Sequence, residues 1–100
     1  MLRIVKNIKL NLKNPLIRSK RSIFTSRPGD LNSKDDFWLL DNGVSIMETS
    51  LSTYNATLFQ KIREASFPVW IRILLANRLS SSFEEWRTYF SLNNGGTHNN

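Results

Sequence analysis

The chain has 100 residues, no cysteine and one histidine, with 14 Lys and Arg against 8 Asp and Glu. That length allows a single domain, and the lack of thiols excludes disulfides and thiolate metal sites. The formal charge of +6 is unevenly placed: residues 1–29 hold eight basic and no acidic side chains (+8), and residues 30–100 hold six basic and eight acidic ones (−2).

Residues 2–12 fit two periods. On a helix, Ile4, Val5, Ile8, Leu12 and Leu16 share one side and Lys6, Lys9 and Lys13 another. On a strand, Leu2, Ile4, Ile8, Leu10 and Leu12 face away from Arg3, Asn7, Lys9, Asn11 and Lys13. Lys6 and Val5 break the strand pattern and no partner strand is evident, so a helix induced on binding is expected. Asn14-Pro15 ends the element. The Ser-, Arg-, Pro- and Gly-rich stretch 18–33 reads as linker.

A basic, acid-free, amphipathic stretch has the character of a mitochondrial targeting peptide. Arg21-Ser22-Ile23 offers a cut after Ser22, and Ile23-Phe24-Thr25-Ser26 resembles the start of an octapeptide whose removal leaves Leu31 near the mature terminus. Residues 1–30 are therefore expected to form a flexible or conditionally helical leader. In it Arg3, Lys6, Lys9, Lys13, Arg18, Lys20 and Arg21 serve targeting or binding to an anionic surface. Two rival uses are an anchor formed by residues 1–17 on an anionic membrane and a nucleic-acid arm on phosphates. The net acidity after residue 29 makes nucleic acid the weaker of these.

Ser33 with Asp35 and Asp36 has the pattern of a helix N-cap and acidic first turn, ahead of Phe37-Trp38-Leu39-Leu40. Asp41-Asn42-Gly43 between FWLL and VSI is a competing hairpin signal; the cap favours a short helix. Val44, Met47, Leu51, Tyr54, Leu58 and Ile62 recur at spacings of 3 and 4, with Ala65 next, which predicts a helix over 44–65. Phe67-Pro68 breaks it.

Residues 69–76 are apolar on most sides and read as buried. Ser81 and Ser82 lie three residues before Glu84 and Glu85, so two overlapping capping boxes open the last helix, with Phe83, Trp86 and Phe90 along one side. Residues 93–100 read as a disordered polar tail. The expected fold is all-α: three or four helices over 31–92 behind the basic arm.

No residues recommend themselves for catalysis, for a cofactor or for a metal. His98 stands alone in the tail, the paired acids suit helix starts, and no Gly-rich phosphate loop is present. Arg63, Arg72, Arg78 and Arg87 read as solvated or salt-bridged surface. A body this small leaves apolar area to be completed elsewhere, with Trp70, Ile73, Leu74, Trp86 and Phe90 as partner contacts. The expectation is a small non-enzymatic helical protein imported into mitochondria, a subunit or assembly factor of a larger complex, with a protein partner and no small-molecule substrate. The alternative is an accessory adaptor, viral or cellular, that docks on a host protein, membrane surface or RNA through its basic start.

Overall fold

A computed structural model describes residues 2–30, 37–49 and 51–96. Four strands, β1 (Ile4–Lys9), β2 (Arg21–Ser26), β3 (Phe37–Leu40) and β4 (Ser45–Met47), form an antiparallel sheet in sequence order. A 3-10 segment (Ala56–Lys61) and two helices, α1 (Val69–Leu79) and α2 (Phe83–Ser91), follow. The fold is mixed α/β, so the expected all-α architecture is overturned.

The basic opening stretch supplies the first two strands. β1 pairs along its whole length with β2, from Ile4 opposite Ser26 to Lys9 opposite Arg21, and Leu10 N–H extends the ladder to the Lys20 carbonyl at 2.9 Å. The partner strand thus lies in the stretch that reads as linker. Lys6, which broke the strand pattern, is accommodated locally: its ammonium donates to the Arg27 carbonyl at 2.8 Å and to the Asp30 carbonyl. The expected flexible or conditionally helical arm is corrected accordingly.

Alternation decides the faces. Ser22, Phe24 and Ser26 of β2 and Trp38 and Leu40 of β3 are buried. With Ile73 of α1, the three apolar ones form the core cluster, and Ile8, Val44, Ile46, Val69 and Phe90 pack around it. Burying each such large apolar side chain stabilises the fold by about 1.5–3 kcal/mol. The opposite sheet face carries Val5, Ile23, Leu39 and Met47, and of these Val5, Leu39 and Met47 are exposed.

The hairpin signal at Asp41-Asn42-Gly43 prevails over the short helix. Gly43 N–H donates to the Leu40 carbonyl at 3.1 Å, and Leu40 N–H donates to the Val44 carbonyl at 3.0 Å. Gly43 takes φ +87°, the left-handed position that closes a three-residue hairpin loop. The Ser33 cap with Asp35 and Asp36, and His98, lie outside the described residues.

The expected helix over 44–65 does not form. Its first turn is β4, and the Asn55 side chain starts a separate turn by accepting from Thr57 N–H at 3.1 Å. Arg63 N–H then turns outward to the Gly95 carbonyl at 2.9 Å, and Phe67 N–H to the Asn93 carbonyl at 3.0 Å. Backbone partners outside the segment displace the ladder that a helix needs. No residue of the 3-10 segment is buried.

The last helix begins where the capping pattern places it. Ser82 Oγ accepts from Glu85 N–H at 3.2 Å, and Glu85 Oε2 accepts from the Ser81 amide and hydroxyl, both at 2.7 Å. Inside α1, Arg72 and Arg78 are buried rather than solvated.

A Cβ at Gly43 would meet nothing within 4 Å, so a substitution there tests backbone conformation alone. Gly43→Ala is expected to lower unfolding free energy by about 1–2 kcal/mol, and Gly43→Asn by less, measured by urea denaturation. Equal loss for both would contradict the left-handed assignment.

Candidate functional site

A cleft of about 450 Å3 separates the β3–β4 hairpin from α2. Trp38 and Ile73 form its floor, and Val44, Ile46 and Glu48 its hairpin wall. These three alternate along one strand direction, so the sheet period itself turns them to one side. The helix wall consists of Phe83, Trp86, Arg87 and Phe90, a set at i, i+3, i+4 and i+7.

The aromatic wall is held from behind. Trp86 Nε1–H donates to Asn77 Oδ1 at 2.8 Å, and its ring stacks on Phe90 with centroids 4.7 Å apart. Arg72 fixes Phe90 twice: its guanidinium carbon lies 4.6 Å from the ring centroid, and Nη1 donates to the Phe90 carbonyl at 2.7 Å. Cation–π and charge-assisted contacts away from water are stronger than at the surface. Burial pushes the Arg72 pKa down, and an arginine stays protonated all the same.

The hairpin wall is fixed by a polar clamp at its turn. Asp41 accepts from Ser19 Oγ at 2.7 Å, from Lys20 N–H at 3.2 Å and from Arg21 N–H at 3.0 Å. Arg78, from α1, donates to the Ser19 carbonyl at 3.3 Å and to Ser22 Oγ at 3.1 Å. Asn42 Nδ2 donates to the Ser80 carbonyl at 2.6 Å, just beyond α1. The turn, β2 and the end of α1 are thereby joined. Burial works to raise the Asp41 pKa, but the Ser19 hydroxyl and the Arg21 and Lys20 amides outweigh it and leave the carboxyl below its ordinary 3.8. Arg78 is pushed down by burial, against the pull of the Asp41 charge.

Ser19 is fully buried and its neighbour is a carboxylate of lowered basicity. A hydroxyl nucleophile needs an accessible oxygen and a base able to take its proton. The clamp therefore orders structure, and the cleft is the candidate site.

The residues expected to act together are dispersed. Lys6 is engaged with the Arg27 and Asp30 carbonyls. Lys9 and Arg21 sit opposite each other at one end of the β1–β2 pair, and Arg3 just precedes β1. Lys13, Arg18 and Lys20 lie between these strands. Of the expected partner contacts, Ile73 is interior, Trp70 is half exposed at 49%, Leu74 is half-buried, and Trp86 and Phe90 line the cleft. Trp38, Ile46, Glu48 and Arg87 were not singled out for this site. The hairpin signal is the pattern that would have brought Trp38 to Ile46.

The model of the family described as Phospholipase B matches residues 1–100. The chain belongs to the phospholipase B family. It is 40% identical over 100 residues to "Phospholipase B-like 1" of Rattus norvegicus, covering all of this chain and 18% of that protein. It is 41% identical over 96 residues to "Phospholipase B-like protein A" of Dictyostelium discoideum, covering 96% of this chain and 17% of that protein. With "Phospholipase B" of Crotalus adamanteus the identity is 34% over 99 residues, covering 99% of this chain and 18% of that protein. The chain thus spans less than a fifth of the length of these relatives.

Phospholipase B family membership corrects the functional expectation. A non-enzymatic subunit or assembly factor, and equally an accessory adaptor, is replaced by a family whose relatives carry the names of lipid hydrolases. The opening segment, expected as a flexible or conditionally helical leader, carries two strands of the sheet.

The clamp has a pH signature. Asp41 titrates lower folded than unfolded, so its contribution is complete above the ordinary carboxylate value of 3.8 and fades as pH falls below it through the lower folded value. Urea midpoints should fall over that acid range in the native chain. The Asp41→Asn variant should start lower at neutral pH, by about 1–3 kcal/mol, and fall less steeply with acid. Parallel profiles for the two proteins would exclude the clamp as the source.

Proposed function

We propose that the protein acts in hydrolysis of a phospholipid acyl ester, and that this segment holds the acyl chain in the cleft between the β3–β4 hairpin and α2. In such a reaction water adds to the ester carbonyl carbon and the bond to the glycerol oxygen breaks. That oxygen takes up the proton, leaving a fatty acid and a lysolipid. The observation that carries the reading is the cleft itself. Its floor and walls are mostly aromatic and branched aliphatic side chains, with charge confined to Glu48 and Arg87. Ligand pockets have this make-up, an apolar lining with a few polar groups. Family membership supplies the reaction class.

The described residues contribute binding and positioning to this reaction. Among them two hydroxyls have a carboxylate neighbour at 2.7 Å: Ser19, sealed inside the clamp beside Asp41, and Ser81, whose partner Glu85 is engaged in the cap of α2. Stacking of Trp86 on Phe90, locked by Arg72 and Asn77, gives the cleft a rigid wall. A rigid wall binds without an ordering cost at the moment of capture.

Titration of the protein with lysophospholipids of increasing chain length, kept below micelle formation and read by tryptophan fluorescence, tests this. Each added methylene is worth about 0.8 kcal/mol, or about fourfold in Kd, until the cleft is full, after which the gain levels off. Ile46→Trp, which fills the cleft from the hairpin side, should abolish binding while the circular dichroism spectrum is kept. Affinity independent of chain length, or undiminished in the Ile46→Trp variant, would refute the acyl cleft.

A further inference from the structure

Residues 55–57 read Asn-Ala-Thr, and no other Asn in the sequence is followed two positions later by Ser or Thr. That spacing, with a middle residue other than proline, is the acceptor pattern for an N-linked sugar. The structure adds geometry to the pattern. Asn55 Oδ1 accepts from Thr57 N–H at 3.1 Å and from the Thr57 hydroxyl at 2.7 Å. A backbone N–H only donates, so the atom facing it is the carbonyl oxygen and not the amide nitrogen. Asn55 Nδ2 takes part in neither bond. Residues 54–65 are all exposed, and the 3-10 segment that follows Asn55 buries no residue. A bulky group attached there displaces no packing.

We propose that Asn55 carries an N-linked oligosaccharide. In the transfer, Asn55 Nδ2 attacks the anomeric carbon of the first sugar of a polyprenyl diphosphate-linked donor. The N–C bond forms as the bond from that carbon to the diphosphate oxygen breaks. The polyprenyl diphosphate leaves with the electron pair, and the proton given up by nitrogen passes to a base of the transferase. Thr57 holds the carbonyl side of the amide from two donors, which fixes the amide plane and leaves the nitrogen side to the enzyme. Asn55 also lines a shallow groove with Leu51, Tyr54, Leu58 and Phe59, all of them exposed. A solubilising sugar rooted at Asn55 covers this apolar surface. Such acceptors belong to chains that enter the secretory lumen, so the proposal gives the chain a destination as well as a covalent group. It does not rest on the acyl cleft.

The test starts from protein made by its own cells, digested to peptides and treated with a peptide N-glycosidase in heavy-oxygen water. Release of the sugar converts the asparagine to an aspartate that carries the heavy oxygen. Peptides spanning position 55 should gain this label only when the glycosidase is present. In variants expressed in the same cells, Asn55→Gln, Thr57→Val and Ala56→Pro should lose the sugar, while Thr57→Ser, which keeps the hydroxyl, should retain it. Ala56→Pro separates recognition from folding. It leaves both side chains of the pair in place, Asn55 already has the extended backbone (φ −96°, ψ 99°) that a residue before proline adopts, and Ala56 opens the 3-10 segment at a position where proline fits. An unmodified Asn55 in the native protein, label that appears equally without the glycosidase, or a sugar that persists in Ala56→Pro overturns the assignment.

Discussion

The Asp41 carboxylate is the constraint on which the other parts depend. It draws the β3–β4 turn against the start of β2 through two backbone amides and a buried hydroxyl. Arg78 ties the same region of β2 to α1, and Asn42 ties the turn to the residue after α1. A carboxylate that accepts several hydrogen bonds, one from a buried hydroxyl, holds those donors in place, and here the donors come from a segment far away in sequence. The clamp forms only when β2, β3 and α1 have all come together, so it specifies one arrangement as well as stabilising it.

The two buried arginines divide the remaining task. Arg78 serves the hairpin side and Arg72 the helix side, where it holds Phe90 by ring and carbonyl. The cleft lies between these two ordered walls. Neither arginine is fully satisfied within the described residues, where both Nε–H groups lack an acceptor. Removing either would leave its partners buried without a donor, which costs more than the bond itself contributes.

Charge misled the reading of the opening stretch. An acid-free run with lysines every few residues fits a leader, a nucleic-acid arm or a strand edge equally, because edge strands also carry lysines, which oppose pairing with other chains. β1 is such an edge. Lys6 broke the alternation for a local reason, two carbonyls beyond the end of β2, and no period can reveal a hydrogen bond to a loop. The predicted helix over 44–65 failed for a related reason. Its apolar spacing is real, but Val44 belongs to a hairpin, and Arg63 and Phe67 find backbone partners near residue 95.

What the sequence determined by itself is local. Ser82 with Glu85 opened the last helix, because a cap needs only neighbours three residues apart. Asp41-Asn42-Gly43 carried a hairpin, because Gly43 alone takes the left-handed conformation there without strain. The tertiary structure decided whatever rests on residues distant in sequence. It paired residues 4–9 with 21–26, buried Arg72 and Arg78, and set Glu48 across a cleft from Arg87. Strand pairing, ion burial and cleft walls are properties of positions in space, and a single chain read in order does not contain them.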